Sequence, residues 1–250
     1  MQKRRQKITE IVNREGQITF SRLKESFPDI SEMTLRTDLK YLDENGAIIR
    51  VHGGAKSIDT IAGTDGFLSQ RIVRNQEKKL CIARKAVALV HGRGTAFIDS
   101  GSTTTLLSRY FPDEDRQIYT CGVSCATELA VLTKPEVHLL GGKMNRYSLS
   151  VAGGKSLLEL QSCHFDICFL GVTSFHSAMG FCCESEGDCV LKQMALRQSD
   201  YKVALVDSSK FDLYSTHRIC EVNGVDAVVS DDDLTDEQKV FFIRHGVAVY

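Results

Sequence analysis

Between Asp29 and Leu42 the chain reads Asp-Ile-Ser-Glu-Met-Thr-Leu-Arg-Thr-Asp-Leu-Lys-Tyr-Leu, and few folds accept that pattern. Leu35, Leu39 and Leu42 recur at helical spacing on one face. Ser31 stands where an N-cap belongs, because its hydroxyl can accept an orphan amide two or three residues on. The other face carries Glu32, Met33, Arg36, Thr37 and Lys40. Such side chains suit the base edges, thymine methyls and phosphates of a DNA major groove. Phe20 to Phe27 reads as a short preceding helix and Pro28-Asp29-Ile30 as the turn. The pair is a helix-turn-helix whose second helix does the reading. An ordinary amphipathic helix in a small bundle would show the same stripe, so the flanking segments decide.

Upstream, Gln2 to Glu15 places Ile8, Ile11 and Val12 on one face, with Lys3, Arg4, Arg5 and Lys7 at its start. Gly16 then closes it, as glycine does at a helix C-terminus. Downstream, Gly46 stops the reading helix, and Ile48, Ile49 and Val51 suit a short strand from which Arg50 and His52 stand out. Gly53-Gly54 supplies a tight turn. Three helices and a short hairpin make a winged helix-turn-helix over residues 1–56. The expected contacts to a double-stranded operator are Arg5, Ser31, Met33, Thr34, Arg36, Thr37, Lys40, Arg50 and His52. Residues 1–56 hold 11 Lys and Arg against 8 Asp and Glu, the remainder 20 against 24. A basic head on an acidic body is a DNA-binding footprint, and here a mild one.

At 250 residues the chain suits one small module and one body of ordinary size. No apolar run approaches the length of a membrane span, and the basic N-terminus lacks the apolar stretch of a signal peptide. A cytoplasmic protein without a membrane partner is expected. Nine cysteines form no C-x-x-C pair, so reduced and mostly buried thiols are expected. Cys182, Cys183 and Cys189 with His176 are the one patch to weigh as a redox or metal site, and their spacing fits no zinc pattern. No cofactor and no metal is expected.

Residues 57–74 read as a linker and 75–250 as an effector-binding and oligomerisation domain. Gly63 to Gly66 break any regular pattern, and the polar run Arg71 to Lys79 leads into a helix through Leu80, Ala83, Val87 and Val90. Beyond it, seven short apolar segments suit strands: 95–99, 118–121, 137–140, 167–170, 203–206, 227–229 and 247–249. Residues 103–109, 125–132, 190–200 and 235–244 suit helices. Buried strands separated by helices predict a mainly parallel, Rossmann-like α/β sheet.

In such sheets a ligand binds beyond the carboxyl ends of the strands. The first loop there is Asp99-Ser-Gly101-Ser102-Thr103-Thr104. Gly101 permits a tight backbone, and Ser102, Thr103 and Thr104 offer hydroxyls beside unpaired helix-start amides, the chemistry of a phosphate cradle. Asp99 could hold sugar hydroxyls; the bland alternative is that the hydroxyls merely cap the helix. Three further loops carry Gly142 and Lys143, Gly171 and Thr173, and Asp207 to Phe211, where Lys210 could reach an anion. Lys192 could also point at the site. Gly154-Lys155-Ser156 is no P-loop, because Leu149 occupies the required first glycine, and Gly92-x-Gly94 precedes a strand instead of following one.

The head resembles the DeoR family of bacterial transcriptional repressors in Arg4, Ile8 and Val12, in Ser31-x-x-Thr-Leu-Arg-x-Asp-Leu39, and in Leu42, Gly46 and Arg50-Val-His-Gly-Gly54. The body resembles the same family's effector domain in Asp99-x-Gly-x-Thr-Thr104, Gly141-Gly142, Gly153, Gly171, Lys192 and Asp207-x-Ser-Lys-Phe211. The resemblance implies a body related in fold to sugar-phosphate isomerases, binding a phosphorylated sugar or related metabolite. Four departures stand out. The segment before Ser31 is slightly long. Thr37 replaces a frequent basic residue, Cys121 a usual asparagine, and Thr173-Ser174 a usual pair ending in glycine. Cys121 and Thr173 therefore join the expected effector contacts.

The expected function is an effector-controlled repressor of a carbohydrate-metabolism operon, working as a homodimer or homotetramer. One reading helix contacts too few base pairs, whereas two related by symmetry fit two half-sites. The competing expectations are an active sugar-phosphate isomerase fused to a DNA module, with Asp99 and Glu184 or Glu186 as base, and a cysteine-based redox or metal sensor. The isomerase is disfavoured because the loops resemble the repressor domain more than the enzyme's site.

Overall fold

The computed structural model describes residues 2–44, 47–51, 53–57, 67–90 and 94–250. The expectations placed on Gly46, His52 and Gly63 to Gly66 lie outside these residues. Two compact units follow each other in the chain, Met1–Gln70 and Arg71–Tyr250.

The first unit runs α1 (Gln2–Glu15), β1 (Gln17–Thr19), α2 (Phe20–Ser26), α3 (Glu32–Glu44), β2 (Ile49–Val51) and β3 (Gly54–Lys56). Thr19 caps α2 by accepting from the Arg22 amide at 3.3 Å, and Ser31 caps α3 by accepting from Thr34 at 3.1 Å. Ile8 and Val12 of α1 meet Leu23 of α2 and Leu35 and Leu39 of α3 in one buried core. The strand β1 has no clear signature in sequence, being three residues of which only Ile18 is buried. It joins the hairpin as an antiparallel sheet in the order β1-β3-β2. Gly54 is required there, because a Cβ would lie 2.1 Å from the Ile18 carbonyl oxygen.

The second unit opens with α4 (Leu68–Val73), which starts in the first and falls inside the stretch expected as linker, and α5 (Gln76–Val87). Then come β4 (Thr95–Ile98), α6 (Ser102–Arg109), β5 (Gln117–Thr120), α7 (Val123–Leu129), β6 (Glu136–Leu139), β7 (Lys143–Asn145), β8 (Ser150–Ala152) and α8 (Gly154–Gln161). The remainder is β9 (Phe165–Gly171), β10 (Ser174–His176), β11 (Gly180–Cys183), α9 (Glu186–Arg197), β12 (Ser199–Leu205), β13 (His217–Cys220), β14 (Ala227–Val229), α10 (Asp236–Arg244) and β15 (Ala248–Val249).

All seven expected strands enter one sheet, ordered β15-β14-β12-β9-β4-β5-β6, and every pairing is parallel. Alternate residues of a strand face opposite sides. In β9, Ile167 and Phe169 pack with α5, α6 and α7, whereas Cys168 and Leu170 pack with the core of α8, α9 and α10. Both faces are covered, which explains why these strands read as continuous apolar runs. The chain winds outward from β4 through β5 to β6, then returns to β9 on the other side of β4. The winding direction therefore reverses between β4 and β9, and the carboxyl ends there open a crevice. Two small antiparallel sheets, β7-β8 and β10-β11-β13, complete the unit. No described helix is long and apolar enough to cross a membrane.

Candidate functional site

The reading face of α3 is open. Ser31, Met33, Arg36, Thr37 and Lys40 are exposed, Thr34 partly so, and Met33 reaches 80 %. Leu35, Asp38, Leu39 and Leu42 turn inward. Thr37 donates to the Met33 carbonyl at 2.9 Å, Lys40 lies 3.7 Å from Glu44, and the exposed Arg50 is anchored by its amide to Asp43 at 2.9 Å. His52 falls outside the described residues.

Arg5 has a different engagement from the one expected. Its Nε donates to Asp38 Oδ1 at 2.7 Å, its guanidinium lies 3.6 Å from the Tyr41 ring centroid, and its side chain is only 16 % exposed. Arg4 donates to the other Asp38 oxygen at 2.6 Å. Burial alone would push the Asp38 carboxyl up, but hydrogen bonds from Arg4 and Arg5 outweigh it and hold the group below its ordinary value. A buried carboxylate on α3 draws both arginines of α1 inward. Arg4 and Asp38 of the motif thus tie α1 to α3 through an ion pair.

In the body, the β4/β9 crevice gathers most of the expected effector residues and gives several of them internal partners. Asp99, at the end of β4, is 1 % exposed. It pairs with Lys192 of α9 and accepts from the Gly171 amide at 3.0 Å and the Cys121 thiol at 3.5 Å. Lys192 also donates to the Gly171 carbonyl at 3.0 Å. Burial alone would lower the Lys192 ammonium, but the Asp99 carboxylate beside it reverses this and holds it above the ordinary lysine value. The carboxylate expected to grip sugar hydroxyls is therefore committed to a buried ion pair, for want of water to solvate it.

Thr104 is corrected likewise. It is fully buried and its hydroxyl donates to the Gly101 carbonyl at 3.0 Å, so it serves the turn. Gly101 holds φ 144°, a conformation that favours glycine, and α6 begins there with no side-chain cap. Ser102 and Thr103 stand beside those amides, nearly buried. Lys143 is exposed at the start of β7, Gly142 packs against Ser156 and Ala152, the Thr173 amide donates to the Cys182 carbonyl at 3.1 Å, and Lys210 is half-buried.

Asp188 and Ser150, far apart in sequence, also pair in the body. Ser150 donates to the buried Asp188 at 3.1 Å, and β8 lies along the end of β5, where the Val151 amide donates to the Cys121 carbonyl at 2.7 Å. Their one signal is the spacing of Asp188 and Lys192, four apart and so on one helix face. A cavity of about 330 Å³ lined by Thr95, Arg116, Gln117 and Lys134 lies at the amino ends of β4 and β5, the opposite end from this crevice.

The cysteine patch holds no group of three or more metal-type ligands among the described residues. Cys182, Cys183 and Cys189 are buried free thiols, and burial pushes each above its ordinary value. His176 is engaged with the Tyr214 hydroxyl at 2.6 Å. Thiols so sealed and protonated are poor nucleophiles and poor ligands.

Residues 4–61 match the DeoR-like helix-turn-helix domain, and residues 74–232 match the DeoR C-terminal sensor domain. The chain belongs to the DeoR family of transcriptional regulators. It is 27 % identical over 248 residues to the putative aga operon transcriptional repressor of Escherichia coli O157:H7, covering 98 % of this chain and 92 % of that one. It is 30 % identical over 249 residues to the regulator GolR of Listeria innocua, covering 98 % and 96 %. Ribose 5-phosphate isomerase A of Methanocaldococcus jannaschii matches 55 % of each chain at 19 % identity, with a TM-score of 0.41. That likeness is partial and says nothing of activity. As a DeoR-family protein the chain is a DNA-binding transcriptional regulator.

Proposed function

We propose that this regulator is a cytoplasmic repressor of a carbohydrate operon, released or engaged by a phosphorylated sugar. Residues 1–56 read the operator and residues 75–250 sense the metabolite and assemble two or four copies. The observation that carries this reading is the exposed polar face of α3, whose opposite face is buried in the head's core while Asp38 is tied to Arg4 and Arg5 of α1. Relatives named for the aga operon and for a lactose phosphotransferase system support the sugar.

The phosphate would lie at the start of α6, where Gly101 leaves helix amides without a side-chain cap and Ser102 and Thr103 add hydroxyls. Ligand binding changes DNA affinity only so far as it favours one arrangement of the assembly over another. Turnover at Asp99, one of the candidate proton-transfer bases, is opposed by its ion pair with Lys192.

Arg36→Ala is expected to lower the preference for operator over random duplex by about 1–3 kcal/mol per half-site, with the thermal unfolding of the body unchanged. Undiminished preference in a gel-shift titration would exclude α3 as the reading helix. Ser102→Ala combined with Thr103→Ala is expected to leave operator affinity alone and weaken the metabolite response about tenfold or more. A normal response to a panel of phosphorylated sugars would remove the phosphate from this loop.

A further inference from the structure

Arg36 is held on the reading face by two neighbours. Its guanidinium lies 4.3 Å from the centroid of the Phe20 ring, and its Nη2 is 3.5 Å from Glu32 Oε2. Phe20, the first residue of α2, packs partly buried against the head's core, and its amide donates to the Gly53 carbonyl at 2.7 Å. One residue therefore touches the core, the wing turn and the reading arginine. Glu32 and Arg36 sit one turn apart on α3, each about two-thirds exposed.

A guanidinium already paired with a carboxylate is a poor phosphate contact, because its charge is offset and the carboxylate repels the DNA backbone. The same pair suits base edges. A flat fork stacked on an aromatic ring keeps one plane. Arginine's fork matches guanine O6 and N7, and a glutamate can accept from cytosine N4.

We propose that Phe20 is a positioning residue for base reading: its ring and the Glu32 carboxylate hold the Arg36 fork in one pose, presented to a guanine, with Glu32 turned to a neighbouring cytosine. The proposal rests on α3 being the reading helix.

The test selects full-length protein variants against a random duplex pool, then titrates the enriched site and a random duplex over a range of salt. Wild type is expected to enrich one guanine per half-site that Arg36→Lys no longer prefers, a loss of about tenfold or more. Phe20→Leu is expected to weaken that same preference about two- to fivefold, the worth of an exposed cation–π contact, with other positions and the salt slope unchanged. Phe20→Tyr keeps the ring and should keep the preference. Glu32→Gln should loosen the cytosine position and steepen the salt dependence, because Arg36 becomes available to phosphates.

A Phe20→Leu protein with intact guanine preference, or one that weakens every position equally, overturns the proposal. If Phe20→Leu does not fold, Glu32→Gln decides on its own, since that side chain is exposed: an unaltered site and salt slope would overturn it. Should Arg36→Lys leave every base position as it was, the reading of α3 falls too, an outcome distinct from a Phe20 failure, in which the Arg36→Lys loss persists.

Discussion

Lys192→Met is expected to lower the melting temperature of the body by about 10 °C. The substitution nearly conserves volume but strands Asp99, 1 % exposed, with only the Gly171 amide and the Cys121 thiol as donors. Removing one partner of a buried ion pair costs about 3–5 kcal/mol. In a body of this size each kcal/mol moves the midpoint about 2–4 °C. Asp99→Asn combined with Lys192→Met should recover most of the loss, because no charge is then left unpaired. Calorimetry of the full chain separates this transition from the head's, and an unshifted midpoint for Lys192→Met would refute the ion pair. Lys192 confers no pH response near neutrality. The Lys192 ammonium is held above its ordinary value, so its stabilisation is complete below about pH 10.4 and is lost only at higher pH.

Asp38→Ala is expected to act on the head and to be somewhat milder in free energy, about 2 kcal/mol. Arg4 and Arg5 keep 23 % and 16 % of their side-chain surface in water and can turn outward once the carboxylate is gone. In so small a unit each kcal/mol is worth about 4–8 °C, so the midpoint still falls by roughly 10 °C. The pH sign follows from the depressed carboxyl. Asp38 is held below its ordinary value, so its contribution is full above about pH 4 and is lost as pH falls through the folded-state value. Wild-type heads should therefore lose stability on acidification more steeply than Asp38→Ala heads. Parallel acid titrations followed by circular dichroism would reveal otherwise.

Sequence carried the periodic parts of this architecture well. Ser31, Leu35, Leu39 and Leu42 placed α3, and the seven apolar runs placed the whole parallel sheet, because a strand buried on both faces leaves an unmistakable run. The three-residue strands β1, β7 and β8 left no such trace: Gln17–Thr19 buries one residue and Lys143–Asn145 buries none. Helix α8 has a weak start signal, because Gly153 stands at its N-cap with no side-chain cap and Gly154 opens it.

Site residues fared according to how local their chemistry is. Gly101 and Ser102 declare a turn and a helix start within a few positions. Asp99 and Lys192 are 93 residues apart, and Arg5 and Asp38 are 33 apart. Only the folded chain shows that each cation has a buried anion to answer, so residue type alone does not reveal the internal partners of Arg5 and Asp99.

The sealed thiols give the body a clock of its own. Cys121, Cys125 and Cys168 are buried, and burial raises all three, Cys168 to about 12. A folded body therefore shelters them from alkylating reagents, and each labelling event marks an excursion in which the sheet has parted. The pace of modification at these three, as distinct from the half-buried Cys81, Cys163 and Cys220, counts those excursions, so the grip a metabolite exerts on the body can be read as a slowing of that pace without any duplex present.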